Sequence, residues 1–206
     1  MKMISSQKLP FTYVRSTFCA LTDALLPAAP SNYEHDLGVH DYVIYALDHF
    51  ISIQKQLDKI IVPLSYPTAE LLDNAATQLV NHNMIQPHPQ PLFPDGQMFS
   101  CLSRIDRIRV LSALENIELD IFLLPVPYKN NAGFIKHMTD ALNRFSMFGY
   151  YSEWPGYGST RLYPPPYRQL EFFPWGWQQS RYPGVVYGYR DFRGFLLTMG
   201  RNEGNE

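Results

Sequence analysis

Residues 38–62 read GVHDYVIYALDHFISIQKQLDKIIV, and this stretch carries the longest helical pattern of the chain. Apolar side chains recur in it at intervals of three and four residues, which would place them on one face of an α-helix. Those positions are Val39, Tyr42, Val43, Ala46, Leu47, Phe50, Leu57, Ile60 and Ile61. Asp41, Asp48 and Lys55 fall on the opposite face. The pattern predicts a single amphipathic helix over the whole stretch.

Four further stretches repeat this periodicity. They cover residues 11–26, 68–83, 103–125 and 134–148. Thr68 and Ser103 are the expected N-caps, and Ser103 with Asp106 also matches a variant of the capping box. Between these two helices, four prolines within residues 86–96 predict an extended loop.

Five helical stripes predict an all-α fold, because their apolar faces leave water by packing against one another. We expect a single domain spanning residues 1–206, with the bundle of about five helices in residues 11–148. The predicted core consists of Phe18, Leu21, Val43, Leu47, Phe50, Leu72, Leu79, Ile108, Leu111, Met138, Leu142 and Phe145.

Charge and composition narrow the possible functions. The chain of 206 residues carries 17 Lys and Arg against 19 Asp and Glu, a net charge of −2, without a basic run. This balance argues against nucleic acid or an anionic membrane as the main partner. No apolar stretch reaches the ~18 to 20 residues of a membrane-spanning helix. The first ten residues lack a signal-peptide pattern, so we expect a cytoplasmic protein unless a partner exports it.

The composition changes from residue 149 onward. Residues 149–200 hold all three tryptophans, half of the 30 aromatic residues, eight of the 12 glycines and six of the 17 prolines. Disordered segments are poor in aromatic residues, so this composition predicts an irregular but ordered arm. Residues 201–206 are expected to be a disordered tail.

The arm is rich in the side chains that dominate protein interfaces, namely Trp, Tyr and Arg. We therefore expect it to contact a partner, although it could also pack on its own bundle. The candidate interface residues are Tyr151, Trp154, Tyr157, Glu171, Trp175, Trp177, Arg181, Tyr182 and Pro183.

A separate group of polar residues has the side-chain types that bind metal ions. The group comprises Glu34, His35, Asp36, His40, Asp41, Asp48 and His49. A metal site on one helix needs ligands at i and i+4, and the histidines of this group do not repeat at that interval. Solvated side chains are the favoured interpretation, so no metal site is predicted. Cys19 and Cys101 also lack metal-ligand spacing and are expected to be free thiols.

Two other classes of function stay open. Trp154, Trp175 and Trp177 could stack on sugar rings in a saccharide-binding module. Glu153 and Glu171 could act as the acid and base of a glycoside hydrolase. The sequence contains no complete catalytic motif, no phosphate-binding loop and no haem or iron–sulfur motif. We therefore predict no catalytic residue and no cofactor-binding residue in this chain.

Four short stretches together resemble a known family. They are Leu25-Leu26-Pro27, residues 38–48, residues 148–152 (FGYYS) and residues 176–184 (GWQQSRYPG). This pattern resembles the gluconate 2-dehydrogenase subunit 3 family, the small (gamma) subunits of flavin-dependent dehydrogenases for sugars and sugar acids. The resemblance covers residues 11–50 and 134–185, and the block at 176–184 is its most specific part.

The resemblance implies a non-catalytic subunit that assembles or matures a large FAD-dependent subunit of the glucose–methanol–choline type. FAD would belong to that partner, and this chain would bind no cofactor itself. The hetero-oligomer could also include a cytochrome subunit. Many family members begin with a twin-arginine export signal, which this sequence lacks, and this difference again favours the cytoplasm.

Overall fold

The computed structural model describes residues 8–28, 36–51, 53–55, 60–90 and 92–184. Within these residues, six α-helices run in the order α1 (Lys8–Leu25), α2 (Val39–His49), α3 (Ser65–Asn81), α4 (Arg104–Asn116), α5 (Ala132–Tyr151) and α6 (Trp175–Ser180). Three short 3-10 helices cover Met98–Cys101, Trp154–Thr160 and Pro165–Tyr167. The predicted helical bundle is confirmed. Within the described residues, no helix is both long and apolar enough to cross a membrane.

Helices α1 to α5 pack around one hydrophobic core. Phe18, Leu47, Leu72 and Met138 are fully buried at its centre. All but three of the predicted core residues are buried; the exceptions are Phe50 and Ile108, which are exposed, and Phe145, which is half-buried. Cys19 and Cys101 are free and half-buried. The amphipathic stripes therefore identified the core with few errors.

The prediction of one helix over residues 38–62 is wrong in its second half. Helix α2 ends at His49, and two antiparallel strands follow, β1 (Ile53–Lys55) and β2 (Ile60–Val62), with Ile53 opposite Val62. The second half of the stretch is rich in isoleucine and valine, whose branched side chains lower helix propensity and raise strand propensity. The helical spacing continues past His49, but the residue types there favour a hairpin.

Helix α3 begins earlier than predicted. Its first residue is Ser65, whose N–H and Oγ donate to the two carboxylate oxygens of Asp48 at 2.8 and 2.9 Å. Thr68 is therefore not an N-cap. Its hydroxyl lies in the core, where it donates to the Leu64 carbonyl and pairs with the Tyr128 hydroxyl, both at 2.6 Å.

The predicted N-cap of α4, Ser103, is confirmed, but the buried face of the helix differs from the prediction. The Asp106 carboxylate accepts from the Ser103 Oγ at 2.7 Å, where a capping box has it accept from the backbone N–H of the N-cap. The Ser103 Oγ accepts from the Asp106 N–H at 3.2 Å. The helix ends at Asn116 rather than continuing to Pro125. Its buried side chains are Arg107, Val110, Leu111, Ala113 and Leu114. Arg107 Nη1 bonds to the Asp23 carboxylate at 2.7 Å, and this pairing offsets part of the cost of burying a cation on this face, where the prediction placed Ile108 instead.

Tyr128 gives the fold a testable dependence on pH. Burial raises the pKa of Tyr128 to about 12, above the value of ~10 in an unfolded chain. Its stabilising contribution is therefore complete below about pH 10 and is lost as the pH rises through 12. We expect Tyr128→Phe to be less stable than the wild type at pH 8, by about 1 kcal/mol for the lost hydrogen bond to Thr68. The difference should shrink by about 1 kcal/mol at pH 11, as measured by urea unfolding. A difference that stays constant would contradict this account.

Candidate functional site

The described part of the arm packs on its own bundle, and Trp154 makes the first attachment. This side chain is 3% exposed, and its Nε1–H donates to the Gly38 carbonyl at 2.9 Å. The Tyr42 ring meets the indole edge-on, with centroids 5.2 Å apart. The Arg168 guanidinium lies 5.1 Å from the centroid of the indole ring. The Trp154 ring is thus enclosed by its own chain.

Gly38 receives this attachment at the start of α2. Its φ of 57° lies in the left-handed region, which favours glycine. A Cβ at this position would lie 1.3 Å from Arg161 Nη1, so the guanidinium occupies the space that a side chain would need. Arg161 is held there by the carbonyls of Gly158 at 2.9 Å and Asp36 at 2.6 Å. Only glycine fits between the bundle and the arm here.

Helix α6 makes the second attachment, at the end of α5. Trp177 is 6% exposed, and its Nε1–H donates to the Tyr151 carbonyl at 2.9 Å. Trp175 and Trp177 both belong to a helix, whereas the sequence predicted an irregular arm here. Residues two apart in a helix are rotated by about 200° and cannot share one side. Trp175 is half-buried and packs against the main core.

Between these attachments lies an open, mainly apolar groove of about 540 Å³, which we call the aromatic groove. Its lining residues are Phe148, Tyr151, Ser152, Glu153, Trp177, Ser180 and Tyr182. Phe148 is 61% exposed, and Tyr151 and Tyr182 are also exposed. Trp177 contacts Tyr182 edge-on, with ring centroids 4.9 Å apart. The buried indole thus supports an exposed ring.

The predicted interface residues divide into several environments. Tyr151, Trp177 and Tyr182 line the aromatic groove, whereas Glu171 lines a different cavity, of about 420 Å³. Trp154 is enclosed as described above. The remaining four are Tyr157 and Trp175, which are half-buried, and Arg181 and Pro183, which are exposed. Phe148 also lines the aromatic groove and was not among the predicted residues, although its place in the FGYYS stretch, three positions before Tyr151, was a signal that could have identified it.

The two carboxylates considered for hydrolysis are engaged within the arm. Glu171 accepts from the Ser159 Oγ at 2.5 Å and from its N–H at 2.9 Å. These hydrogen bonds lower the pKa of Glu171. Glu153 accepts from the Tyr157 hydroxyl at 3.3 Å. A glycosidase acid needs a raised pKa, so the environment of Glu171 does not favour that role.

Of the seven polar residues considered as metal ligands, three lie close together at the start of α2. Side-chain atoms of Asp36, His40 and Asp41 all lie within 4.8 Å of one another. Asp48 instead bonds to Ser65, and His49 stacks on the Tyr45 ring at a centroid distance of 4.3 Å. The other two members, Glu34 and His35, lie outside the described residues.

Comparisons with protein-family models, with curated proteins and with solved structures find no match for this chain. The resemblance to the small subunits of flavin-dependent dehydrogenases therefore stays a prediction from the sequence.

Proposed function

We propose that this chain is a non-catalytic small subunit that binds and helps to assemble a large FAD-dependent sugar or sugar-acid dehydrogenase of the glucose–methanol–choline type. The observation that carries the proposal is the aromatic groove. Its lining comes almost entirely from the FGYYS stretch at 148–152 and the GWQQSRYPG stretch at 176–184. These are two of the stretches on which the resemblance rests, and they meet in space at one open surface.

The chemistry of the groove suits a protein partner. Exposed aromatic rings bury a large area at a small cost in conformational entropy, and they are enriched among residues that dominate binding energy. Ser152, Glu153 and Ser180 supply polar groups beside these rings. Mixed apolar and polar linings of this kind are typical of interfaces between separately folded chains. The attachments through Trp154 and Trp177 hold the surface in place before a partner arrives.

A saccharide-binding module receives less support from the same contacts. Stacking on a sugar needs an open ring face, and the Trp154 indole is covered by Tyr42 and Arg168. Trp177 is buried beneath Phe173 and Tyr182, whose rings meet it edge-on at 5.4 and 4.9 Å. The platform of three tryptophans that the sequence offered is therefore not formed.

The test is co-expression of the full chain with a flavin dehydrogenase encoded beside its gene. We expect the two chains to co-purify as a complex, with the flavin in the large chain. We also expect the large chain to accumulate less when it is expressed alone. If the large chain is absent from the purified material and its yield is independent of this chain, the proposal is wrong.

A matched pair of variants places the interface within that complex. Phe148→Ala with Tyr182→Ala should raise the dissociation constant at least thirtyfold, since aromatic anchors at an interface centre contribute about 2 kcal/mol or more. Phe122→Ala is the control, because Phe122 is 60% exposed, like Phe148, but lies far along the chain from the groove residues. It should bind as the wild type does. Equal effects of the double variant and the control, by titration calorimetry, would exclude the groove as the interface.

A further inference from the structure

We propose that Asp36, His40 and Asp41 form a site for one divalent transition-metal ion, with Zn²⁺ as the best match. The site is independent of the proposed partner function. It lies where the loop before α2 meets the first turn of that helix, and it combines one loop carboxylate with an adjacent histidine and carboxylate on the helix. The inference departs from the sequence-based interpretation, which considered only pairs of histidines one helical turn apart.

The distances between the ligand atoms suit a metal ion. His40 Nε2 lies 3.4 Å from Asp41 Oδ1, which is long for a hydrogen bond. Ligands at ~2.0 to 2.1 Å from a tetrahedral Zn²⁺ are separated by about 3.4 Å from one another. One ligand atom from each of Asp36, His40 and Asp41 lies within 4.8 Å of the other two, so all three could contact one ion after small side-chain adjustments.

The buried imidazole supplies the second, independent observation. His40 is only 8% exposed, and among the described residues no group forms a hydrogen bond with its Nε2. A buried polar atom without a partner is costly, and a metal ion would satisfy it. Burial also lowers the pKa of His40, which favours the neutral imidazole that binds metals.

The nearby positive charges limit the affinity without blocking the site. Arg161 is held mainly by backbone carbonyls, and its Nη1 lies 3.5 Å from Asp36 Oδ2. Arg15 Nε lies 3.4 Å from Asp41 Oδ1, and this side chain is exposed enough to turn away. Because of these two cations, we expect micromolar rather than nanomolar affinity.

Neighbouring groups orient the Asp36 carboxylate, and an open cavity lies beside the proposed site. Asp36 Oδ1 accepts from the Gly38 N–H at 3.0 Å, and this hydrogen bond fixes the orientation of the carboxylate, as hydrogen bonds to ligand side chains do in metal sites. Asp36 and His40 line an open cavity of about 350 Å³. This space can admit an ion together with the water that would complete its coordination.

The test uses the full chain, stripped of metal, and titrates it with Co²⁺ as a visible probe for the Zn²⁺ site. We expect one Co²⁺ per chain, a visible absorption band and its loss on addition of Zn²⁺. Asp36→Asn, His40→Gln and Asp41→Asn should each weaken binding at least tenfold. Zn²⁺ should raise the melting temperature of the wild type more than that of Asp36→Asn.

His49→Gln and Asp140→Asn are the matched controls, because both residues carry the same ligand types at exposed positions. They should leave Co²⁺ binding unchanged. If His40→Gln loses helical content, the two Asp→Asn variants decide the question, since Asp36 is mostly exposed. No saturable binding below about 1 mM, or equal losses in the controls and the site variants, would overturn the proposal.

Discussion

Trp154→Ala should lower the free energy of unfolding by about 3 to 5 kcal/mol, the usual cost of removing a buried tryptophan. The change removes the ring that lies between Tyr42 and Arg168, together with the hydrogen bond from Nε1 to the Gly38 carbonyl. Urea unfolding followed by circular dichroism measures the loss directly. The arm should detach from α2 in this variant, and its backbone amides should exchange faster.

Trp154→Phe is the control for this prediction. This variant keeps an aromatic ring at the same position but loses the hydrogen bond to the Gly38 carbonyl. That carbonyl still accepts from the Asp41 N–H at 3.1 Å. A smaller loss, about 1 to 2 kcal/mol, should result. If Trp154→Ala is as stable as the wild type, the arm is not held on the bundle in the way that we describe.

Trp177→Ala should lower the free energy of unfolding by about 3 kcal/mol. The indole is buried between Phe173 and Tyr182, and its Nε1–H bonds to the last residue of α5. Gly176 packs so closely on α5 that a Cβ would lie 2.4 Å from the Tyr150 carbonyl oxygen. Loss of the indole should therefore release α6 from α5, which thermal melts and hydrogen exchange of residues 175–180 would detect.

Trp175 and Trp177 were both predicted to contact a partner, whereas the burial of Trp177 gives this residue a role in the fold. Trp175→Ala is the comparison, because its ring is only half-buried and its truncation should cost less than that of Trp177. If Trp177→Ala has the same melting temperature as the wild type, Trp177 is not needed for the fold, and its interpretation as a partner contact alone would stand.

Local signals predicted much of the bundle. The N-cap at Ser103 correctly predicted the start of α4, and the apolar stripe of α5 correctly predicted that helix, because both signals act within one or two turns. The prediction of a single helix over residues 38–62 was wrong because two signals disagree after His49. The spacing of apolar residues indicates a helix there, whereas the residue types favour strands, and strands form. The burial of Arg107 was not predicted for another reason, because its partner Asp23 is distant in sequence.

The packing of the arm could be predicted only in part from the sequence. Its aromatic content predicted an ordered segment, but not which rings face inward. That choice depends on Gly38, which lies 116 positions from Trp154 and accepts the hydrogen bond from its indole. Asp36 and His40 are four positions apart, but the sequence-based interpretation compared only the histidines with one another, and Asp36 lies in the loop before α2 rather than on the helix.

Hydrogen exchange of the co-purified complex tests the central claim most directly. The account predicts that binding of the large subunit slows exchange in peptides covering residues 148–153 and 175–183, the two walls of the aromatic groove. The control peptide around Phe122 should exchange equally in the free and bound chain. Protection confined to other surfaces, with the groove peptides unchanged in a stable complex, would contradict the account.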